Sequence, residues 1–345
     1  MTEVRIGILG SGFMGLTHAE AVAKYLKHAR LVAIAGGSRA PALAARYGVE
    51  AEQSAEALVA RRDIDALIVA TPHAAHATLT ILAARHGKHV LVEKPMATTL
   101  EECDAMLAAC HAAGVNLMAG QMQRYRKANA IAKQLIIAGR IGRVLMLRES
   151  QIGAGGIASF PAWQNAPANV GVLLGHGIHN FDRMRWLTGN EASSVSARVG
   201  HWRETANVDL SAMVLITFAS GAIGELWMTW ECPKPAFPQS EFRAQIMGED
   251  GLLDIDAYGK LQLGTSAGWE TVFEQPPIDY RGNKLDPVRM QTYADQDQEF
   301  VNSIAEGRPP AVTGEDGRAA VQMALAAYRS SELGETVHLT AGRPL

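Results

Sequence analysis

The first third of the chain alternates short, β-branched apolar runs with longer Ala-rich stretches whose apolar positions recur at helical spacing. Unbroken apolar runs are the mark of strands buried on both faces, as in a parallel sheet covered by helices. The pattern predicts strands at 4–9, 31–35, 65–70, 89–92 and 115–118, alternating with helices at 13–27, 39–47, 74–86 and 100–113. That is a doubly wound Rossmann layout. After about Gly120 the rhythm changes to a helical pattern at 124–138, a strand at 144–152, a Gly/Pro/Asn-rich loop and a second helix at 170–187. From 193 to 273 strands follow one another between Gly, Pro and Asp turns, 208–218 and 223–230 among them, and helices at 291–305 and 315–333 close the chain. Strands without intervening helices predict an antiparallel sheet. The expected fold is therefore an α/β Rossmann domain over residues 1–121, then an α+β C-terminal domain over 122–345 with an open antiparallel β-sheet.

Composition adds exclusions. A chain of 345 residues is long enough for two cores, and 32 Lys+Arg against 35 Asp+Glu gives a net charge of −3. With 48% hydrophobic and 19% charged residues, neither a disordered chain nor a basic nucleic-acid binder is expected. Cys103, Cys110 and Cys232 make no closed disulfide framework, and none stands in a CxxC spacing. Met1 to Gly10 is too short before the first glycine turn to read as a cleavable signal, and no apolar run approaches the roughly 18 residues of a membrane span, so a cytoplasmic protein with no membrane partner is expected.

Gly10-Ser11-Gly12-Phe13-Met14-Gly15 fits GxGxxG between a predicted strand and a predicted helix, the context in which that motif binds a dinucleotide. Gly10 allows the tight turn, Gly12 lets a pyrophosphate approach the backbone, and Gly15 lets the helix pack closely on the strand. About 20 residues further on, an Asp or Glu would hydrogen-bond the adenosine ribose of NAD. Gly36-Gly37-Ser38-Arg39 stands there instead. Ser38 and Arg39 suit a 2′-phosphate, so NADP is preferred over NAD, against the plainer reading of Arg39 as a solvated charge opening the next helix.

Gly87-Lys88-His89-Val90-Leu91-Val92-Glu93-Lys94-Pro95 puts an acid and a base side by side at the C-terminal end of a Rossmann strand, where ligands bind in open α/β sheets. Together with the glycine motif, the Thr71-Pro72 turn with His76, and Gly177-Ile178-His179, this run resembles the Gfo/Idh/MocA family of oxidoreductases, over nearly the whole chain. The resemblance implies hydride transfer between a nicotinamide cofactor and a sugar or cyclic polyol. It implies Lys94 beside the nicotinamide and the substrate hydroxyl, and Thr71 and His73 near the nicotinamide ribose. It also implies His179 as general acid/base on the second-domain helix, a role that a neutral imidazole fits.

The family's Asp-x-x-x-His pattern is broken here, because Gly175 stands at the Asp position of Gly175-His176-Gly177-Ile178-His179. Glu93 is expected to contact a ribose or the backbone rather than to catalyse. Further substrate-binding candidates are Gln121, Gln123, Arg124, His176 and Trp163, the last in a Trp163-Gln164-Asn165 loop suited to a sugar's apolar face and hydroxyl rim, with Asp209 as an outside candidate. No metal is expected. The alternatives are a dihydrodiol dehydrogenase, an NAD-retaining glycosidase and, against the presence of Lys94 and His179, a non-catalytic dinucleotide-binding regulator. An open sheet needs covering, so a homodimer or homotetramer is expected.

Overall fold

The computed structural model describes residues 3–161, 164, 170–237, 242–279 and 282–339. The chain forms two compact units, Met1–Tyr125 with Ile278–Ala319, and Arg126–Pro277 with Ala320–Leu345.

In the first unit, strands β1 (Val4–Leu9), β2 (Ala29–Ala35), β3 (Glu50–Glu52), β4 (Ala66–Val69), β5 (His89–Glu93) and β6 (Leu117–Gly120) form one sheet in the order β3-β2-β1-β4-β5-β6. All its pairs are parallel. This is the doubly wound order that places ligands beyond the strands' C-terminal ends. The strands are apolar because both faces are covered: β4 and β6 are buried at every position. Helices α1 (Phe13–Lys24), α2 (Ala40–Tyr47), α3 (Ala55–Val59), α4 (His76–Arg85) and α5 (Leu100–Ala113) run between the strands. α5 shows why its boundaries fall where they do: the Thr99 hydroxyl accepts the Glu102 N–H at its start, and Gly114 closes it at φ 64°.

The second unit begins with α6 (Lys127–Ile137) and β7 (Val144–Ala154) and continues through α7 (Ile178–Thr188), β8 (Ala192–Gly200), β9 (Ser211–Phe218), β10 (Ile223–Cys232), β11 (Phe242–Gly248), β12 (Leu252–Asp256), β13 (Lys260–Thr265) and β14 (Gly268–Glu274). With β15 (Val337–His338) these strands form a nine-stranded sheet in the order β14-β13-β12-β11-β7-β10-β9-β8-β15. The sheet is antiparallel except where β10 lies parallel to β7, Ile223 opposite Met146. A parallel neighbour needs a crossover, and the segment from β7 to β10 supplies it with α7 and two strands on the way. The antiparallel expectation therefore holds for all pairs of this sheet but that central one.

Residues 278–319 differ from the division expected at residue 121. They carry α8 (Pro287–Ala305) and the start of α9 (Gly314–Leu333), and α8 packs against α1 within the first unit. The helix expected at 170–187 also differs. Leu173–Gly177 forms a π-helical turn, and only then does α7 begin. The glycines at 171, 175 and 177 weaken helical propensity, and Asp209 takes over the turn's amides. Its carboxylate accepts the Leu173 N–H at 2.8 Å and the Tyr328 hydroxyl at 2.6 Å, while its carbonyl accepts the Val172 N–H at 3.1 Å. Asp209 is thus an anchor of this turn.

α7 is pinned to β7 by an ion pair with almost no exposure, Arg183 at 6% and Glu149 at 1%. Arg183 donates to Glu149 at 2.9 and 2.6 Å, and the Asn180 amide adds a third donor at 2.5 Å. Removing one partner leaves a charge buried without its counter-ion, which costs far more than the pair contributes. Arg183→Ala is expected to lower the unfolding free energy by about 3–5 kcal/mol in urea titration. A loss below about 1 kcal/mol would mean that Glu149 finds water or another donor.

Candidate functional site

The first unit gathers most of the sequence-predicted residues at the C-terminal ends of β1, β4, β5 and β6. The turn after β1 has room for no side-chain carbon at two of its glycines. A Cβ on Gly10, whose φ is +118°, would lie 2.3 Å from the Ala70 carbonyl oxygen, and one on Gly15 would lie 2.0 Å from the Gly10 carbonyl oxygen. Gly12 is different. A Cβ there would meet only the Arg39 guanidinium, at 3.6 Å, so the space in front of this backbone is open. No side chain caps α1, which leaves its first N–H groups, from Phe13 through Gly15, directed at that space. The Ser11 hydroxyl donates to the Gly36 carbonyl at 2.7 Å and ties the turn to the loop after β2. Ser38 and Arg39 are exposed in that loop, with Arg39 at the start of α2.

The Thr71 hydroxyl oxygen is buried and has no hydrogen-bond partner in the protein. An orphaned polar atom, uncapped helix amides and a glycine with open space before it are what a bound dinucleotide would satisfy. The site thus fits that cofactor.

Lys94 follows β5 and is half-buried. Burial pushes its pKa down and the Glu93 carboxylate opposes the shift. His73, buried beside it, is driven down to about 3 by desolvation and then by the Lys94 and His76 charges. The His76 ring lies between two carbonyl oxygens, Pro95 at 2.8 Å and Thr71 at 2.9 Å, and so joins the turn after β4 to the turn that carries Lys94. Gln121 is buried at the end of β6. Gln123 is half-buried in the short turn that follows. Arg124 is committed to Asp316, with nitrogen–oxygen distances of 3.2 and 3.3 Å.

Behind Glu93 lies a group that the sequence reading missed. His18 of α1, with no exposed surface, directs Nε2 at Glu93 (3.1 Å) and Nδ1 at Asp297 of α8 (2.8 Å). Two carboxylates accept from one ring, so both ring nitrogens carry protons. Burial opposes that charge, but Asp297 and Glu93 outweigh it and raise the His18 pKa to about 10. The second Glu93 oxygen accepts the Lys94 backbone N–H at 3.1 Å. Glu93 thus binds the backbone of the turn that carries Lys94. The available signal was a histidine three positions beyond Gly15, on an otherwise Ala-rich buried helix face.

In the second unit His176 lies in the π-helical turn and His179 in the first turn of α7, both half-buried. The His176 ring packs at 4.9 Å from Trp230 and 5.4 Å from Phe160, and the Gln164 amide nitrogen lies 3.4 Å from its Nε2. Trp230 in turn lies against Gly153, whose Cβ would fall 3.0 Å from the indole. A Cβ on Gly175 would be in ordinary contact, 3.5 Å from Val170 and 3.6 Å from the Gln164 amide, so a Cβ is accommodated there. Trp163 and Asn165 lie outside the described residues. Among the described residues no group of three or more His, Cys, Asp or Glu is placed to hold a metal ion, and no helix is long and apolar enough to cross a membrane.

The His18 cluster gives the fold a pH dependence with a definite sign. Its folded pKa of about 10 lies above the ordinary 6.5, so its stabilisation is complete below about 6.5 and is lost as pH rises through about 10. The melting temperature is expected to fall over that interval in a thermal scan, and Asp297→Asn to flatten the fall. A melting temperature that holds level to about pH 10 would contradict the assignment.

A family model described as oxidoreductase family, NAD-binding Rossmann fold matches residues 4–121, and one described as oxidoreductase family, C-terminal alpha/beta domain matches 133–339. The scyllo-inositol 2-dehydrogenase (NAD(+)) of Bacillus subtilis is 29% identical, over 99% of this chain and 98% of its own. A 2,7-anhydro-N-acetylneuraminate hydratase of Mediterraneibacter gnavus is 28% identical, over 96% of this chain and 95% of its own. The crystal structure of scyllo-inositol dehydrogenase from Lactobacillus casei, with bound cofactor NAD(H) and scyllo-inositol, superposes with a TM-score of 0.81 at 26% identity, over 98% of this chain and 99% of that one.

Proposed function

This chain belongs to the Gfo/Idh/MocA family of oxidoreductases, and from that premise we propose that it transfers a hydride between a nicotinamide dinucleotide and a hydroxyl-bearing carbon of a sugar or cyclic polyol. The observation that carries this reading is Lys94, half-buried at the end of β5 beside a clamped carboxylate, at the same C-terminal edge of the sheet as the open glycine turn after β1. The bound nicotinamide supplies the hydride acceptor in one direction and the donor in the other. Lys94 donates to the substrate hydroxyl oxygen and stabilises charge developing there. His179 holds the hydroxyl proton once it leaves, the task its position in the family pattern implies. Phe160, His176 and Trp230 form an aromatic surface suited to the apolar face of a ring, with the Gln164 amide at its edge.

A panel of cyclitols, aldoses, anhydrosugars and cyclic dihydrodiols, followed by absorbance of the reduced cofactor, tests the reading. Turnover on a polyol is expected, and Lys94→Ala is expected to lower kcat by about 100-fold or more with the dinucleotide still bound. Kcat within about threefold of wild type in that variant would remove Lys94 from the chemistry. Product formed without net cofactor reduction would place the chain with its hydratase relative instead.

The preferred cofactor in this proposal is NADP. Ser38 and Arg39 stand where NAD enzymes place a carboxylate, and the Arg39 guanidinium reaches to 3.6 Å from the Cβ position of Gly12. The Bacillus subtilis relative is named for NAD(+), which makes the comparison a direct one. Calorimetric titration of each dinucleotide should show tighter binding of NADP, and Arg39→Ala should weaken NADP by about 10-fold while leaving NAD within about twofold. Tighter binding of NAD by the wild type would overturn the preference.

The protein partner in this proposal is a second copy of the chain. One face of the second unit's sheet exposes Met146, Met213, Leu215, Ile223, Met247 and Leu252, with Met146 between Ile223 and Met247 in register. Buried free cysteines suit a reducing compartment such as the cytoplasm. Light scattering should report a dimer or tetramer, and Met146→Arg with Ile223→Arg should dissociate it. A monomeric wild type would defeat the proposal.

A further inference from the structure

Resting on the assignment of Lys94 above, we infer that His18 and Asp297 are positioning residues: an imidazolium held between two buried carboxylates pins Glu93 against the Lys94 backbone N–H and so holds the turn that presents Lys94. The chain of contacts is continuous. Asp297 accepts a hydrogen bond from Nδ1 at 2.8 Å, Glu93 accepts one from Nε2 at 3.1 Å, and the other Glu93 oxygen accepts one from the Lys94 N–H at 3.1 Å. His18 and Asp297 have no exposed surface and Glu93 is 4% exposed, so water does not compete for these bonds.

The surroundings leave the cluster little freedom. Tyr293 meets the His18 ring edge-on at 5.9 Å, and the Gln296 amide donates to the second Asp297 oxygen at 3.3 Å. Arg289 lies over Tyr293 at 4.6 Å and over Phe13 of the glycine turn at 4.5 Å. On the other side, a Cβ on Gly120 would lie 3.2 Å from the Glu93 Cα and 3.5 Å from its carboxyl carbon, so the end of β6 closes over Glu93. A carboxylate buried this deeply is ionised only while its partners hold it. Glu93 is held below the usual carboxylate range because His18 and Lys94 outweigh its burial. The cluster of two carboxylates and one imidazolium carries a net charge of −1, which stands beside the Lys94 ammonium. Asp297 supports the catalytic turn without touching it.

Because His18 acts through Glu93 in this account, its effect on turnover disappears once Glu93 is gone. His18→Gln is expected to lower kcat about 10- to 100-fold with dinucleotide affinity within about twofold. Glu93→Gln should do the same, and the His18→Gln/Glu93→Gln double variant should be no slower than Glu93→Gln alone. Losses that multiply, or a wild-type kcat in His18→Gln, would overturn the inference. Should His18→Gln fail to fold, Asp297→Asn with and without Glu93→Gln is read in the same way. Histidine-selective nitrogen NMR on the intact protein supplies a readout free of turnover. His18 should keep both ring protons to about pH 9 and lose one at lower pH in Asp297→Asn, whereas a singly protonated ring at neutral pH in the wild type would refute the contact scheme. Lys94→Ala separates this inference from the reading beneath it. Retained turnover there defeats the Lys94 assignment and everything resting on it, while an inactive Lys94→Ala beside a fully active His18→Gln defeats this inference alone.

Discussion

Helix α1 leaves the first strand so closely that its backbone touches the turn it came from, and a single Cβ at Gly15 would collide with the Gly10 carbonyl oxygen. That approach does two things. It presents uncapped amides to open space, and it sets the next turn of the same helix against the end of β5 and the middle of α8, where His18 meets Glu93 and Asp297. Cofactor recognition and the support of Lys94 are therefore consequences of one packing constraint. A shift of α1 that harmed one would harm the other.

The second unit obtains its rigidity by different means. Its sheet has one well-covered face and one exposed face, and the elements around His176 and His179 are held by buried polar groups rather than by apolar packing alone. Asp209 fixes the π-helical turn at its start, and Arg183 with Glu149 fixes α7 on β7. Buried polar anchors demand specific geometry, since each unmade hydrogen bond is costly, and they hold a glycine-rich segment that propensity would leave loose. The three glycines at 171, 175 and 177 make His176 and His179 dependent on these anchors.

What could be read from the sequence follows physical range. The buried strands, the glycine turn and the Glu-Lys-Pro turn are local patterns, and each stands where the residues predicted it. β3 is three polar residues at a sheet edge and α3 is five residues long, so neither has an apolar period to detect. The parallel pairing of β10 with β7 depends on register between segments some 80 residues apart, which alternation within either strand does not encode. The π-helical turn was hidden because its anchors, Asp209 and Tyr328, lie far along the chain. Histidines 176 and 179 could be singled out only through the family pattern, and Trp230 and Phe160 carried no local mark that set them apart from core aromatics.

The return of residues 278–319 to the first unit bears on how the molecule is made. Asp297 lies 279 residues beyond His18. On a ribosome the first 125 residues emerge as a near-complete Rossmann sheet, yet the charge cluster beneath Lys94 stays open until most of the remaining chain has been synthesised. The nascent first unit must therefore hold His18 and Glu93 without Asp297 through the whole interval in which the second unit is being translated. A fragment ending at the apparent domain boundary would carry the glycine turn and Lys94 but lack the anchor that completes them.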